Sequence, residues 1–392
     1  GNFVDEDGKV YTPEEAKALK ETETKIKSSP SSSSVTKNLA KGLEITGAID
    51  TACSVYNTSR AVAFAAKVAR KAALIRYFMV FANTYSVMQA GESTPEQIDY
   101  ISRKISATDE REKVVDESKL KDYFIGYHIR FFPSWMEFYL EDFASLYSEL
   151  KDKKYFKSLC GGENSKDELV NYFKKELEIA KTLEVKYIVF HACNIKIIES
   201  LTYNFKYSDM EVLKNVVDIL NEIFEGGNYN FKLLLENLWW SGLRLTNKEE
   251  IEYLLKNINY KNTGFILDTG HMINNNPEIK NSKEAVKYIK KNLENIGEYK
   301  NLIYGMHLNY SLSGEYVNKS IKENREKNLD IEEIMNNVYQ HVGSIDYHDP
   351  FEDKEIINVI NSLPIEYLVF ELIGNTKEEL EDKIQRQWKI FE

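Results

Sequence analysis

Short apolar runs along this chain repeatedly end in a side chain able to bind a metal. They are GYH ending at His128, VFH at His191, LLLE at Glu236, ILD at Asp268 with TGH at His271 just after it, GMH at His307 and VFE at Glu371. Asp346 and His348 add a further pair, separated by one residue. Six histidines exist in the chain; five belong to this set, and the sixth, His341, falls in a helix-like stretch just upstream of Asp346. One histidine at the end of an apolar run is more often a hydrogen-bonded structural residue, but five together with four carboxylates read as a metal centre. Neutral imidazoles with carboxylates suit Zn first, with Mn or Fe as alternatives, and argue against a purely magnesium or calcium site. Nine candidate ligands exceed the need of one ion, so two or three divalent cations per chain are expected, with carboxylates bridging them and a bridging water acidified to hydroxide.

For side chains so far apart in sequence to meet, the elements carrying them must converge. The strand candidates are 123–128, 186–191, 232–236, 264–268, 302–307 and 367–371, and helical segments such as 165–182, 209–224, 248–256, 282–293 and 376–390 lie between and after them. Strands joined by crossover helices are parallel and buried on both faces, which is why they read as continuous apolar runs. Six such units predict an α/β fold, a (β/α)8 TIM barrel, whose strand tips converge on the face where active sites of this fold lie.

At this point the residues carry a family resemblance. LLLENLWW, FILDTGH, YGMHLNYS, SIDYHDPF and LVFELIG resemble motifs of the xylose isomerase-like TIM barrels, which include sugar isomerases and epimerases and the endonuclease IV type of DNA repair enzyme (AP endonuclease family 2). The resemblance runs from about Asp122 to the C-terminus. It implies that His128, His191, Glu236, Asp268, His271, His307, Asp346, His348 and Glu371 correspond, in order and type, to the nine ligands of a three-zinc site, the Asp346-His348 pair being the most discriminating match. It also implies a smaller isomerase set, Glu236, Asp268, His307 and Glu371, whose two glutamates serve proton transfer as well. Glu236, Glu371 and His271 are the candidate catalytic residues. Family members have two barrel strands ahead of the counterpart of the strand ending at His128, and in residues 1–121 only Tyr77 to Tyr85 is a candidate for one of them.

Other residues near the strand tips have two readings each. Trp239 and Trp240 could stack on a sugar ring or base, or plug the barrel mouth. Arg130 could bind a phosphate bidentately or pair with a neighbouring carboxylate. Asn309 is a candidate substrate contact, and with Asn237 it could instead orient ligands or cap loops. Ser311 to Gly314 is a weakly specified phosphate cradle.

Composition bounds the rest. With 43% hydrophobic, 12% aromatic and 29% charged residues the chain is that of a folded protein. Residues 1–35 end in a Ser- and Pro-rich run and read as a flexible tail or linker; 36–121 read as a mainly helical N-terminal segment with a possible strand at 77–85; 122–392 read as the barrel. The uncharged run from Tyr77 to Gly91 is shorter than the roughly 20 residues of a spanning helix, no secretory leader is visible, and a cytoplasmic location is the default. Cys53, Cys160 and Cys193 are too scattered for a disulfide framework and read as reduced structural thiols.

Three functions follow as expectations. The first is a multinuclear-metal phosphoester hydrolase. The second is a metal-dependent sugar or sugar-phosphate isomerase or epimerase, and the third a non-catalytic binding module. The net charge of −11 favours a small phosphorylated or sugar substrate over DNA, and the N-terminal helices are candidates to contact a protein partner.

Overall fold

The computed structural model describes the strand pair Phe3–Val4 (β1) and Val10–Tyr11 (β2), and residues 125–392 apart from 326, 328, 375 and 376. That strand pair falls in the stretch expected to be a flexible tail; the rest of 1–35, the N-terminal helices, the strand at 77–85 and Cys53 lie outside the described residues. The remaining strands are Gly126–His128 (β3), Tyr187–His191 (β4), Cys193–Asn194 (β5), Lys232–Glu236 (β6), Ser241–Gly242 (β7), Thr263–Asp268 (β8), Ile303–His307 (β9) and Tyr367–Val369 (β10). The α-helices are Trp135–Tyr139 (α1), Phe143–Leu150 (α2), Phe156–Cys160 (α3), Lys166–Thr182 (α4), Ile197–Thr202 (α5), Asp209–Phe224 (α6), Lys248–Asn257 (α7), Thr269–Asn274 (α8), Ser282–Asn295 (α9), Gly314–Asn324 (α10), Ile331–Ile345 (α11), Ile356–Asn361 (α12) and Lys377–Trp388 (α13).

Six strands form one parallel sheet in the order β10-β9-β8-β6-β4-β3. Its alternate residues serve two cores. Tyr187, Val189, Leu234, Ile266, Tyr367 and Val369 pack together on the inner side, while Ile188, Phe190, Leu233, Leu235, Phe265 and Leu267 join the helices outside. The rings of Tyr187 on β4 and Tyr367 on β10 lie 4.2 Å apart although three strands separate them in the sheet. The sheet is therefore curled on itself, as in the wall of a TIM barrel, with β3 and β10 as its edges among the described strands.

Sequence chemistry sets where the helices begin. Ser165, Ser208, Asn247, Asn281 and Asp330 each cap a helix with a side-chain oxygen, and Ser208 with Glu211 forms a capping box. One strand end departs from its expected place. β10 stops at Val369, two residues before Glu371, whose carbonyl accepts from His348 Nδ1. No helix among the described residues is long and apolar enough to cross a membrane.

Candidate metal centre

Strand register brings the expected ligands side by side. His191 and Glu236 are paired across β4 and β6, and Asp268 and His307 across β8 and β9. His271 comes one turn into α8, whose N-cap is Asp268: the Asp268 carboxylate accepts from the His271 backbone N–H at 2.7 Å. Asp346 ends α11, and His348 follows with a left-handed φ of 50°.

All nine converge, as three groups of potential ligand atoms lying within 4.8 Å of one another: His128, His191 and Glu236; Glu236, Asp268, His307 and Glu371; His271, Asp346 and His348. Glu236 belongs to two of them. Its Oε2 is 3.0 Å from both His128 Nε2 and His191 Nε2, and its Oε1 is 2.9 Å from His307 Nδ1. His307 Nδ1 is also 3.0 Å from Glu371 Oε2. In the third group Asp346 Oδ2 is 3.1 Å from His271 Nε2 and 2.7 Å from His348 Nε2. The first group is the most open, its two imidazoles 18% and 17% exposed.

The rings are pre-oriented for ligation. His128 Nδ1 lies 2.8 Å from the Ile129 carbonyl, His271 Nδ1 2.9 Å from that of Asn237, and His348 Nδ1 2.8 Å from that of Glu371. A carbonyl only accepts, so each Nδ1 carries the proton, and Nε2 is the atom turned to the carboxylates, the usual arrangement of a metal-ligating histidine. The donor set thus fits divalent cations by both type and orientation.

The charges are strongly coupled. Burial works to raise Glu236, but His307 and His191 beside it hold it well below the usual carboxylate range. Burial likewise opposes the shift at Glu371, which His307 brings down to about 2, and at Asp346, which His348 and His271 depress further. Burial lifts Asp268 to about 8, the pull of His271 being outweighed once Glu371, Glu236 and Asp346 add their charges. Against the effect of burial, Asp268 and Asp346 raise His271, Glu371 and Glu236 raise His307, and Asp346 brings His348 up to about 9. His191 goes the other way, pushed down by burial to about 4. The depressed carboxylates and raised imidazoles mark a donor set that favours positive charge at its centre.

Surrounding polar groups hold the ligands. Asn309 is fully buried and its amide donates to Asp268 Oδ2 at 2.7 Å, so it orients a ligand and does not present itself to substrate as expected. Asn237 exchanges hydrogen bonds with the Asp268 backbone. Ser311 Oγ donates to Asp346 Oδ1 and accepts from the His348 N–H, and Ser313 Oγ donates to Asn274 Oδ1, so these hydroxyls of the weakly specified cradle at 311–314 are engaged within the protein.

Trp239 and Trp240 are 2% and 5% exposed. Trp239 lies 5.0 Å from the His271 ring, and the pair makes a wall behind the ligands, closer to the plug than to the stacking platform. Phe131, which sequence reading missed, is the half-buried aromatic at the open corner, 5.2 Å from His191 and stacked on Trp240. Its place three residues beyond His128 was the only available signal. Arg130 is half-buried with its guanidinium over the Phe132 ring. His341 stands outside the ligand set, between Tyr316 Oη and the Ser200 carbonyl. Cys160 and Cys193 are free and buried.

Comparison with curated proteins finds no match. Among solved structures, endonuclease IV from Thermus thermophilus is 14% identical with a TM-score of 0.35, covering 68% of this chain and 98% of that one. The probable 3-DHS dehydratase AsbF of Bacillus anthracis is 14% identical with a TM-score of 0.39, covering 79% and 98%, and a D-psicose 3-epimerase 14% with a TM-score of 0.37, covering 74% and 84%. The family model described as the xylose isomerase-like TIM barrel matches residues 142–352, more than half of the chain. With strand tips, curled parallel sheet and family model in agreement, the chain belongs to the xylose isomerase-like TIM barrel family.

Proposed function

We propose that this protein is a phosphoester hydrolase that works with three divalent cations, zinc first among them, on a small phosphorylated substrate. The observation that carries the reading is the division of nine donors into three groups, two of them sharing Glu236. An isomerase needs only the central group, and nothing in its chemistry calls for the other two.

Bound cations would supply an acidified water and positive charge opposite the phosphate oxygens. His128, His191 and Glu236 would hold the first, Glu236, Asp268, His307 and Glu371 the second, and His271, Asp346 and His348 the third. The protein's own part is orientation. Carbonyl-anchored imidazoles keep Nε2 aimed inward at His128, His271 and His348. His191, neutral because burial lowers it to about 4, offers a lone pair without having to lose a proton. The exposed first corner, walled by Phe131 and Trp240, is where a phosphate enters.

Metal analysis with an activity assay tests this. Three ions per chain, and turnover of a chromogenic phosphodiester abolished by chelation and by His271→Ala, are expected. One ion per chain with no phosphoesterase activity sinks it.

A second reading has one observation in its favour: the central group is complete by itself, with Glu236 and Glu371 both touching His307. That is the set with which an isomerase or epimerase moves a proton between sugar carbons. Solvent deuterium appearing in a ketose or aldose substrate would select it.

A further inference from the structure

β3 and β4 end at His128 and His191, and a buried ion cluster joins the loops that follow them. Lys196, 8% exposed, sends its ammonium from the β4 loop into the first two helices that follow β3. Its Nζ lies 3.0 Å from Glu149 Oε2, 3.4 Å from Glu137 Oε1 and 3.1 Å from Ser145 Oγ. Glu149 also accepts from the Ile197 backbone N–H at 3.0 Å, and Glu137 is fully buried. Nearby, the half-exposed Lys206 reaches Glu137 at 3.9 Å and Asp142 at 3.7 Å, and Glu199 accepts from the backbone N–H groups of Lys196 and Lys206.

Uncharged links join the same two loops. Trp135 Nε1 donates to the Cys193 carbonyl at 2.7 Å, the Met136 N–H to Asn194 Oδ1 at 3.1 Å, and the Ile195 N–H to the Pro133 carbonyl at 3.0 Å. Among the described strands, three-residue β3 pairs with β4 alone. Among the described residues the sheet steadies the His128 end through β4, and the loop links add to that support. Of these links the Lys196 cluster depends most on a single group. Without the Lys196 ammonium, buried Glu149 and Glu137 face each other with only the half-exposed Lys206, 3.9 Å from Glu137, to offset them, and they push apart or take up protons.

We propose that Lys196 is a positioning residue for the first metal group: its ammonium clamps the two loops and so fixes the separation of His128 and His191, whose ring centroids are 4.6 Å apart. The inference rests on the metal reading above but concerns one group of the three. Loosening this clamp widens the His128–His191–Glu236 corner, while the third group, supplied by α8, α11 and the turn after α11, stays as it is.

The test is Co2+ titration of the full-length metal-free protein, followed by the visible absorption of the bound ion. Lys196→Met is compared with Lys232→Met, which breaks an ion pair to Glu366 at the opposite end of the barrel strands. Wild type is expected to take up three ions. In Lys196→Met one of the three should weaken at least tenfold while the others keep their affinity, and Lys232→Met should leave all three unchanged. Should Lys196→Met fail to fold, Glu149→Gln, which keeps the shape and weakens the clamp, is titrated in its place and the same selective loss expected. Equal weakening of all three ions, or no weakening, overturns the clamp and leaves the metal centre standing. A wild-type protein that takes up no Co2+ overturns both.

Discussion

His348 holds a left-handed backbone, φ 50°, and its Nε2 lies 2.7 Å from Asp346 Oδ2. Two residues apart in an extended segment point the same way but stand about 6–7 Å apart along the chain. The left-handed turn folds the imidazole back onto its neighbour's carboxylate. Such a conformation costs on the order of 1 kcal/mol in a residue with a Cβ, and here it builds a ligand pair from the sequence Asp-Tyr-His.

Asparagine tolerates the left-handed region better than alanine. His348→Asn should therefore exceed His348→Ala in stability by about 0.5–1 kcal/mol when both are unfolded in urea with a chelator present. Both should lose one ion per chain by elemental analysis. Equal stability would mean that the backbone at this position is not strained.

Glu236 serves two groups and Asp346 one. Glu236→Gln should consequently remove two ions per chain and Asp346→Asn one. Each should lower turnover by more than about 100-fold, beyond the range typical of outer-shell changes. Elemental analysis of the two variants side by side checks this, and equal losses would show that Glu236 is not shared.

Metal removal should lower thermal stability as well as activity. A ligand present at a thousandfold excess over its dissociation constant stabilises the folded state by about 4 kcal/mol. In a domain of this size that moves the melting midpoint by on the order of 10 °C. Differential scanning calorimetry with and without chelator should show the drop, reversed by added zinc.

Gly270 lies inside α8, and a Cβ built there falls 1.9 Å from Asn309 Oδ1. Gly270→Ala must displace the amide that holds Asp268 Oδ2. A loss of about 1–3 kcal/mol in stability is expected together with weaker binding of the central ion, readable by competition with a chromophoric chelator.

Glu250 provides a pH test away from the metals. Burial, and then the Asp209 carboxylate, push it up to about 7, with Arg244 pulling the other way. The folded state then holds a proton that the unfolded chain releases near its ordinary value of 4.5. Stability from this group is present in full below about pH 4.5, declines as pH rises towards 7, and is gone above it. Glu250→Gln should match wild type near pH 4 and exceed it by up to about 3 kcal/mol at pH 8. A difference that does not vary with pH would show that Glu250 ionises normally.

The convergence of the candidate ligands was legible in the sequence because a parallel strand ends its apolar run where the barrel face begins. His191, Glu236 and His307 sit at the last residue of their strands, where the pattern put them. Glu371 was identified as a ligand candidate although its strand ends earlier, since residue type carried that reading and strand length did not. The supporting shell was not legible. Nothing in the sequence distinguishes an asparagine facing substrate from one turned inward, and Asn309 faces Asp268 only because Thr269 and Gly270 leave it room. Lys196 escaped notice for a related reason: its partners, Glu137 and Glu149, are some fifty residues upstream, and no periodicity links them.

The curled sheet has a practical consequence for anyone trimming the protein. A fragment starting at Ile125 would leave β3 and β10 as the two edges of the described sheet, beside the inner cluster of Tyr187 and Tyr367. Rims of this kind template the addition of foreign strands. Such a fragment should self-associate, and because His128 stands on one rim, the resulting oligomers would carry a distorted first metal group in place of a working one.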